Sequence, residues 1–215
     1  MTAALVQSVD VDIGRLRLPG ILAVPENPRG LVIFAHGSGS SRLSPRNAHA
    51  AAFLYEVSIA TLLFDLLTNT ESADRRNVFD IPLLASRVGE AISWARDNPP
   101  TAALPIGLFG ASTGAGAALA VAAARPAEVT AVVSRGGRPD LAGDALAGVR
   151  APTLLIVGGN DREVLALNQA ARARMRCVTE LLVIPGAGHL FEEPGTLDGA
   201  LAAAAEWFKS HLAGD

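Results

Sequence analysis

The chain has 215 residues, half of them hydrophobic, and a net charge of −3 without any block of like charge. This composition excludes an intrinsically disordered chain and gives no indication of binding to nucleic acid or to a membrane. The single cysteine, Cys177, excludes an internal disulfide, and residues 1–10 lack a secretory signal, so we expect one cytoplasmic domain spanning residues 1–215.

Two strands of an antiparallel hairpin are predicted first, at residues 6–13 and 16–24, with Gly14 between them. Six apolar runs follow, and each has the length and the buried character of a strand in a parallel sheet. These runs cover residues 31–35, 60–64, 106–109, 131–133, 153–157 and 181–184.

Helical patterns separate the apolar runs. They cover residues 46–57, 82–96, 112–124, 163–174 and 197–212. Strands that alternate with helices predict an α/β fold with a mostly parallel, twisted sheet and helices on both of its faces. The polar residues 71–77 are predicted to form a mobile loop, and no insertion is large enough for a lid domain. In such sheets ligands bind at the carboxyl ends of the strands, so we expect the chemistry there.

Residues 110–114, Gly-Ala-Ser-Thr-Gly, connect a predicted strand to an alanine-rich helical run. A turn of this kind forces unusual backbone angles on its central serine, Ser112, and needs small residues two positions before and after it. The turn exposes the hydroxyl at the edge of the sheet and points a helix N-terminus at it. Ser112 is therefore a candidate nucleophile, and a serine that only caps the helix is the alternative.

Two more polar loops follow strands at the same predicted edge, and they carry Asp161 and His189. A serine needs a base to take its proton, a histidine does this near neutral pH, and a carboxylate fixes the histidine tautomer. The set Ser112, Asp161 and His189 thus predicts a catalytic triad. The alternatives are ordinary turn chemistry at Asp161 and a turn-capping role for His189, and Asp65 is the rival acid.

The glycine-rich residues 36–41 follow the first parallel strand. A tetrahedral oxyanion needs N–H donors, and the backbone groups of Ser38 and Thr113 are the candidates for an oxyanion hole. The segment has neither the third glycine nor the following lysine of a nucleotide loop, so we expect no nucleotide. No cluster of residues has metal-ligand spacing, and we expect no metal either.

Arg135 and Arg138 follow another predicted strand, beside the Ser112 turn. A guanidinium binds carboxylates and phosphates through paired hydrogen bonds, so both arginines are candidate substrate-binding residues. The alternative is that they lie in a solvated or ion-paired loop.

Because of the motifs in these loops, the chain resembles the α/β-hydrolase superfamily and, within it, the dienelactone hydrolase-like branch. The resemblance covers about residues 31–212. It rests on residues 34–39, 110–114, 134–140, 157–161 and 185–189. It implies the α/β-hydrolase fold, with Ser112 as nucleophile, Asp161 as acid, His189 as base and the loop at Ser38 completing the oxyanion hole.

Dienelactone hydrolase proper has a cysteine nucleophile, whereas this chain has Ser112 at that position and Cys177 far from any motif. The resemblance therefore implies a general serine hydrolase. Relatives in this branch are sometimes fused to a phosphoribosyltransferase, a domain that we do not find in this sequence.

The sequence thus predicts a serine esterase that cleaves small carboxylic esters through an acyl-enzyme, without a cofactor. The alternatives are a thioesterase or a peptidase using the same triad, a hydrolase of carboxylate-bearing lactones, and a non-catalytic binding module. The expected partner is a small-molecule ester, and no nucleic acid or membrane is expected. The sequence also allows a homodimer.

Overall fold

The structure is a computed structural model that describes residues 6–212. Residues 1–5 and 213–215 of the predicted 1–215 domain lie outside the described residues. The prediction that residues 1–10 hold no secretory signal therefore falls in part outside them as well. Within residues 6–212 no helix is long and apolar enough to cross a membrane.

An eight-stranded sheet forms the centre of the fold, in the order β1-β2-β4-β3-β5-β6-β7-β8. Its strands are β1 Val6–Ile13, β2 Leu18–Pro25, β3 Leu31–Ala35, β4 Ala60–Phe64, β5 Ile106–Ala111, β6 Val129–Arg135, β7 Thr153–Gly158 and β8 Thr179–Ile184. β1 and β2 pair antiparallel, β2 also pairs antiparallel with β4, and the pairs from β4 to β8 are parallel. The predicted hairpin and the mostly parallel sheet are therefore confirmed.

The helices lie between the strands, as the pattern predicts. They are α1 Pro45–Glu56, α2 Asn69–Ser72, α3 Arg75–Val78, α4 Ile81–Asp97, α5 Thr113–Ala124, α6 Arg162–Arg174 and α7 Thr196–His211. The boundaries of the five predicted helices differ from these by at most one residue, which is within the usual uncertainty at helix ends.

Each face of the sheet has its own hydrophobic core. On one face the buried side chains of α4 and α5 pack against strand side chains such as Ile33 and Leu108. On the other face α1 and α7 pack against Val32 and Phe34. Because successive side chains of a strand point to opposite faces, β3 has to be apolar at every position, and all five of its residues are buried.

Two segments differ from the sequence-based expectation. Residues 71–77, predicted as a loop, contain parts of the short helices α2 and α3. Thr68 starts α2 with a capping box, in which its hydroxyl accepts from Glu71 N–H while the Glu71 carboxylate accepts from Thr68 N–H. The second segment, Pro139–Gly148, is 3-10 helix interrupted at Gly143, where φ is 56°. Neither segment has the apolar periodicity that predicts a longer helix.

Candidate active site

The candidate site lies at the carboxyl ends of the parallel strands, where the order of the sheet reverses. From β3 the chain moves outward to β4 on one side, and from β5 it moves outward to β6 on the other. A crevice forms where two such connections diverge, and ligands bind there in open α/β sheets. The loops that follow β3 and β5 carry Ser38 and Ser112 and therefore meet at this point.

Ser112 occupies a sharp turn between β5 and α5, with φ 48° and ψ −124°. A β-carbon at Gly114 would lie 2.0 Å from the Ala35 carbonyl oxygen, and one at Gly110 would lie 2.4 Å from the Ala115 Cα. The turn therefore needs glycine two positions before and two positions after the serine, because a β-carbon at either position would collide with neighbouring backbone. Residues held in such sparsely populated backbone regions cost about 1 to 3 kcal/mol each and cluster at functional sites.

His189 and Asp161 lie in contact, although they are 28 positions apart in the chain. His189 Nδ1 lies 2.6 Å from Asp161 Oδ2, and the Asp161 side chain is only 14% exposed. Asp161 begins α6, but its carboxylate makes no capping bond with that helix. The carboxylate thus orients the imidazole, with Nδ1–H as donor, and leaves Nε2 available to accept a proton.

The two loops that carry this pair are joined by hydrogen bonds that the sequence did not reveal. Asn160 N–H donates to the Ala187 carbonyl at 2.9 Å, and the Asn160 side-chain amide donates to the Gly186 carbonyl at 2.8 Å. Gly188 N–H donates to both carboxylate oxygens of Glu193, and this bond lowers the pKa of Glu193. Asn160 and Glu193 thereby fix the loops on both sides of the candidate pair.

Within the described residues, no hydrogen bond joins the Ser112 hydroxyl to the His189 ring. Hydrogen bonds do hold the Ser112 backbone, since its carbonyl accepts from the N–H groups of Ala115 and Arg138. Hydrogen bonds between catalytic groups are often long or poorly aligned without substrate, so the missing bond does not exclude a nucleophile and base pair of Ser112 and His189.

The two candidate oxyanion donors are adjacent, but one of them already has a partner. Ser38 N–H donates to the Thr113 hydroxyl at 3.2 Å. Thr113 N–H belongs to the first turn of α5, where N–H groups have no partner within the helix. A β-carbon at Gly37 would lie 2.8 Å from the Ser112 Cβ, so the loop packs directly against the turn.

His36 fixes the start of this loop through both of its ring nitrogens. Leu66 N–H donates to Nε2 at 3.1 Å, so the proton is on Nδ1, which lies 3.0 Å from the Gly37 carbonyl. Burial lowers the pKa of His36 and so favours the neutral ring, whose Nε2 can accept a hydrogen bond. Asp65, the rival acid, bonds instead to the backbone and the guanidinium of Arg42.

Two neighbouring cavities share residues 37–41 as a common wall. The larger, of about 410 Å³, also contains Ser112, Arg135, Arg46 and Leu190 in its lining. The smaller, of about 290 Å³, is lined by His36, Thr113 and Asp65 among others. The Ser112 turn therefore faces the larger cavity.

The two candidate substrate-binding arginines have different surroundings. Arg135 ends β6 and lines the larger cavity beside Ser112. Arg138 instead forms a paired ion bridge with Asp140, at 2.9 and 2.8 Å, as the ion-paired alternative describes. Arg138 is absent from the linings of both cavities beside the Ser112 turn, whereas Arg46, which the sequence did not single out, lines the larger of them.

The comparisons with known proteins concern nearly the whole chain. The sequence profile described as the dienelactone hydrolase family matches residues 18–212. Two curated proteins of Mycobacterium tuberculosis, from strains CDC 1551 and H37Rv, are each 58% identical to this chain over 208 residues. Both are named "Putative phosphoribosyl transferase". The match covers 97% of this chain but 47% of each relative, so the chain spans about half the length of the curated relatives it matches.

Solved structures are similar over the same extent. The crystal structure of dienelactone hydrolase from Anabaena variabilis is 51% identical, with a TM-score of 0.92, and the match covers 97% of this chain and 99% of that chain. Est1E from Butyrivibrio proteoclasticus is 15% identical, with a TM-score of 0.81 and coverage of 96% and 99%. At that identity the second likeness shows the shared fold alone.

Proposed function

Since this chain belongs to the dienelactone hydrolase family and has its α/β-hydrolase fold, we propose that it is a serine hydrolase of small carboxylic esters. The family supports a hydrolase in general, and the serine-dependent ester chemistry is our proposal. The observation that carries it is the position of Ser112 in a sharp strand-to-helix turn, at the same sheet edge as the contacting pair Asp161 and His189.

In this proposal the Ser112 hydroxyl oxygen attacks the ester carbonyl carbon, and its proton passes to His189 Nε2. Asp161 stabilises the imidazolium through the 2.6 Å bond to Nδ1. The intermediate then releases the alcohol, which takes the proton from Nε2, and an acyl group stays on Ser112. Water, deprotonated by the same nitrogen, then attacks the acyl carbon. The bond from that carbon to the Ser112 oxygen breaks, the oxygen takes the proton from Nε2, and the carboxylic acid leaves, so the steps use only groups of the protein and water.

The developing oxyanion is held by backbone N–H groups of Thr113 and Ser38. Ser38 N–H bonds to the Thr113 hydroxyl in this structure. The oxyanion therefore has to displace the Thr113 hydroxyl as the acceptor of the Ser38 N–H, or share that N–H with it. A hydroxyl is a weaker acceptor than an oxyanion, because charge-assisted hydrogen bonds are about twice as strong as neutral ones. The exchange thus favours the intermediate, which is the charged species, over the neutral ground state.

Small substrates fit this site best. The cavity at Ser112 has a volume of about 410 Å³, near the lower end of the range usual for small-molecule sites. Between β6 and β7 the chain forms only the short 3-10 segment Pro139–Gly148, which is far smaller than a lid domain. The segment between β6 and β7 therefore provides no large apolar surface to cover a long acyl chain.

A panel of matched substrates tests the proposal. We expect kcat/KM for 4-nitrophenyl acetate and butyrate to exceed that for the octanoate ester, the butyryl thioester and the butyryl anilide. The anilide is expected to be the poorest, because an amine is a poor leaving group. A thioester preferred over its oxygen ester by more than about tenfold, a difference of roughly 1.4 kcal/mol in transition-state stabilisation, would make the protein a thioesterase. Turnover of none of the five compounds would contradict hydrolase activity toward small acyl substrates.

A further inference from the structure

A polar side chain lies in the apolar face that α6 packs against the rest of the fold. The buried residues of α6 are Val164, Asn168 and Ala171, which recur at the three- to four-residue spacing of one helix face. Asn168 is completely buried. Asparagine has a low helix propensity and its amide loses water on burial, so stability alone would favour an apolar residue at this position. The departure from the helical pattern therefore needs a specific reason.

Asn168 uses its amide as a double donor. Nδ2 lies 2.8 Å from the carbonyl oxygen of Val164 in the same helix and 3.0 Å from that of Gly137, which is 31 positions away. Carbonyl oxygens only accept hydrogen bonds, so the amide has to face them with its NH₂ group. The Oδ1 atom is buried and has no hydrogen-bond partner among the described residues. The bond to Gly137 is thus the one that connects this side chain to another part of the fold.

The 136–138 segment, which contains this carbonyl, contacts two of the candidate catalytic residues. Arg138 N–H donates to the Ser112 carbonyl at 3.0 Å. Gly136 has a φ of 52°, and a β-carbon there would lie 3.1 Å from the His189 carbonyl oxygen and 3.9 Å from Cε1 of its ring. The segment therefore lies between the turn of the candidate nucleophile and the loop of the candidate base.

Among the side chains that the structure describes, Asn168 is the one that bonds to the backbone of the 136–138 segment. Its helix, α6, begins at Asp161, the hydrogen-bond partner of His189, about two turns before Asn168. One helix thus carries both the candidate acid and the anchor of the segment beside Ser112. A shift of α6 against that segment would change the positions of the three candidate residues relative to one another.

We propose that Asn168 is a positioning residue for the hydrolase reaction. Through the Gly137 carbonyl it keeps the Ser112 turn and the His189 loop at the spacing that proton transfer requires. The proposal rests on the proposed function, because Asn168 acts through these two residues. A displacement of about 1 Å can cost about 10²-fold in rate. Asn168 lines neither cavity beside the turn, so its loss should lower kcat and leave KM nearly unchanged.

Two substitutions of Asn168 test the bond to Gly137. Asn168→Leu keeps the branched shape of the side chain and removes both donors. We expect kcat for 4-nitrophenyl acetate to fall by about tenfold or more, with KM changed by less than about twofold. In Asn168→Thr the new hydroxyl can donate to the carbonyl four residues earlier, that of Val164, but the bond to Gly137 is lost. This variant should therefore show a similar loss, and a wild-type kcat in Asn168→Thr would overturn the proposal.

Thr101→Val is the matched control for loss of a buried hydrogen bond to a carbonyl. Thr101 is completely buried, and its hydroxyl donates to the Ala95 carbonyl at 2.8 Å. It precedes β5, whereas the Ser112 turn follows that strand, so it lies at the opposite edge of the sheet. The replacement should lower the melting temperature but keep kcat within about twofold of the wild-type value. A loss of kcat as large as in Asn168→Thr would show that reduced stability alone explains both variants, and the proposal would be wrong.

Amide hydrogen exchange tests the anchor without relying on turnover. In Asn168→Thr the N–H groups of Gly136 and Arg138 should exchange about tenfold faster than in the wild-type protein or more, because local opening of the segment becomes easier. Thr101→Val should leave both rates unchanged. Absent turnover in the wild-type protein together with this exchange pattern would contradict the proposed function and leave the anchor standing. Unchanged exchange of both amides in Asn168→Thr would overturn the anchor, even if kcat fell.

Discussion

Replacing Ser112 by alanine is expected to abolish ester turnover, with kcat lower by about 10³-fold or more, while the fold persists. The hydroxyl oxygen is the only non-hydrogen atom removed, and in our proposal it forms the acyl-enzyme. Alanine has to adopt the same φ of 48° as the serine it replaces, so the backbone strain of the turn is unchanged. The measurements are steady-state hydrolysis of 4-nitrophenyl acetate and the melting temperature of the variant.

Ser86→Ala provides the matched control for this variant. Ser86 is exposed on α4, and within residues 6–212 its hydroxyl bonds only to the Leu83 carbonyl of its own helix. It should keep wild-type turnover. If Ser112→Ala kept the parent rate as well, Ser112 would not be the nucleophile. If Ser112→Ala lost its cooperative melting, the loss of activity would reflect unfolding, and titration of the wild-type protein with a serine-directed inhibitor would decide the role.

Asp161→Asn is expected to lower kcat by about 10³- to 10⁴-fold with little change in stability, as loss of a triad carboxylate does elsewhere. The amide has nearly the shape of the carboxylate but no charge, so it cannot stabilise the imidazolium that forms when His189 accepts the proton. It can also present its NH₂ group to Nδ1 and select the wrong tautomer of the ring. Initial rates and KM for 4-nitrophenyl acetate measure the effect, which should fall almost wholly on kcat.

Asp65→Asn distinguishes the two candidate acids. Asp65 bonds to Arg42 in this structure and not to His189. Its replacement should therefore reduce kcat much less than Asp161→Asn does. The assignment of Asp161 as the acid would be wrong if Asp65→Asn gave the larger loss of kcat.

The elements that the sequence predicted best are those whose residues carry their own local constraint. β3 is apolar at five successive positions, because both faces of the central sheet are covered. The turn at Ser112 needs Gly110 and Gly114, because any β-carbon there would collide with neighbouring backbone. Such patterns can be read from a few adjacent residues, without knowledge of the tertiary structure.

The short elements were harder to predict for a physical reason. α2 and α3 have four residues each, and isolated helices of that length are not stable in water. They are stabilised by their caps and by contacts such as the ion pair of Glu71 with Arg87, which is 16 positions away. A polar segment of this kind has no apolar periodicity, so its sequence is typical of a loop.

The same limit applies to the candidate site. The sequence put Arg135 and Arg138 in one class, because they are the same residue type three positions apart. The structure pairs Arg138 with Asp140, two positions along the chain, whereas two buried nitrogens of Arg135 have no partner among the described residues. The bond between Ser38 N–H and the Thr113 hydroxyl also joins residues 75 positions apart, which no local pattern reveals.

The proposed chemistry depends on Ser112 being an activated nucleophile. A fluorophosphonate probe followed by peptide mapping in a mass spectrometer tests it most directly, because such probes modify serines activated by a neighbouring base. We predict that the wild-type protein is modified at Ser112, that Asp161→Asn reacts far more slowly, and that Ser112→Ala is not modified. Modification of a different serine, or none at a probe concentration that fully labels a known serine esterase, would contradict the claim.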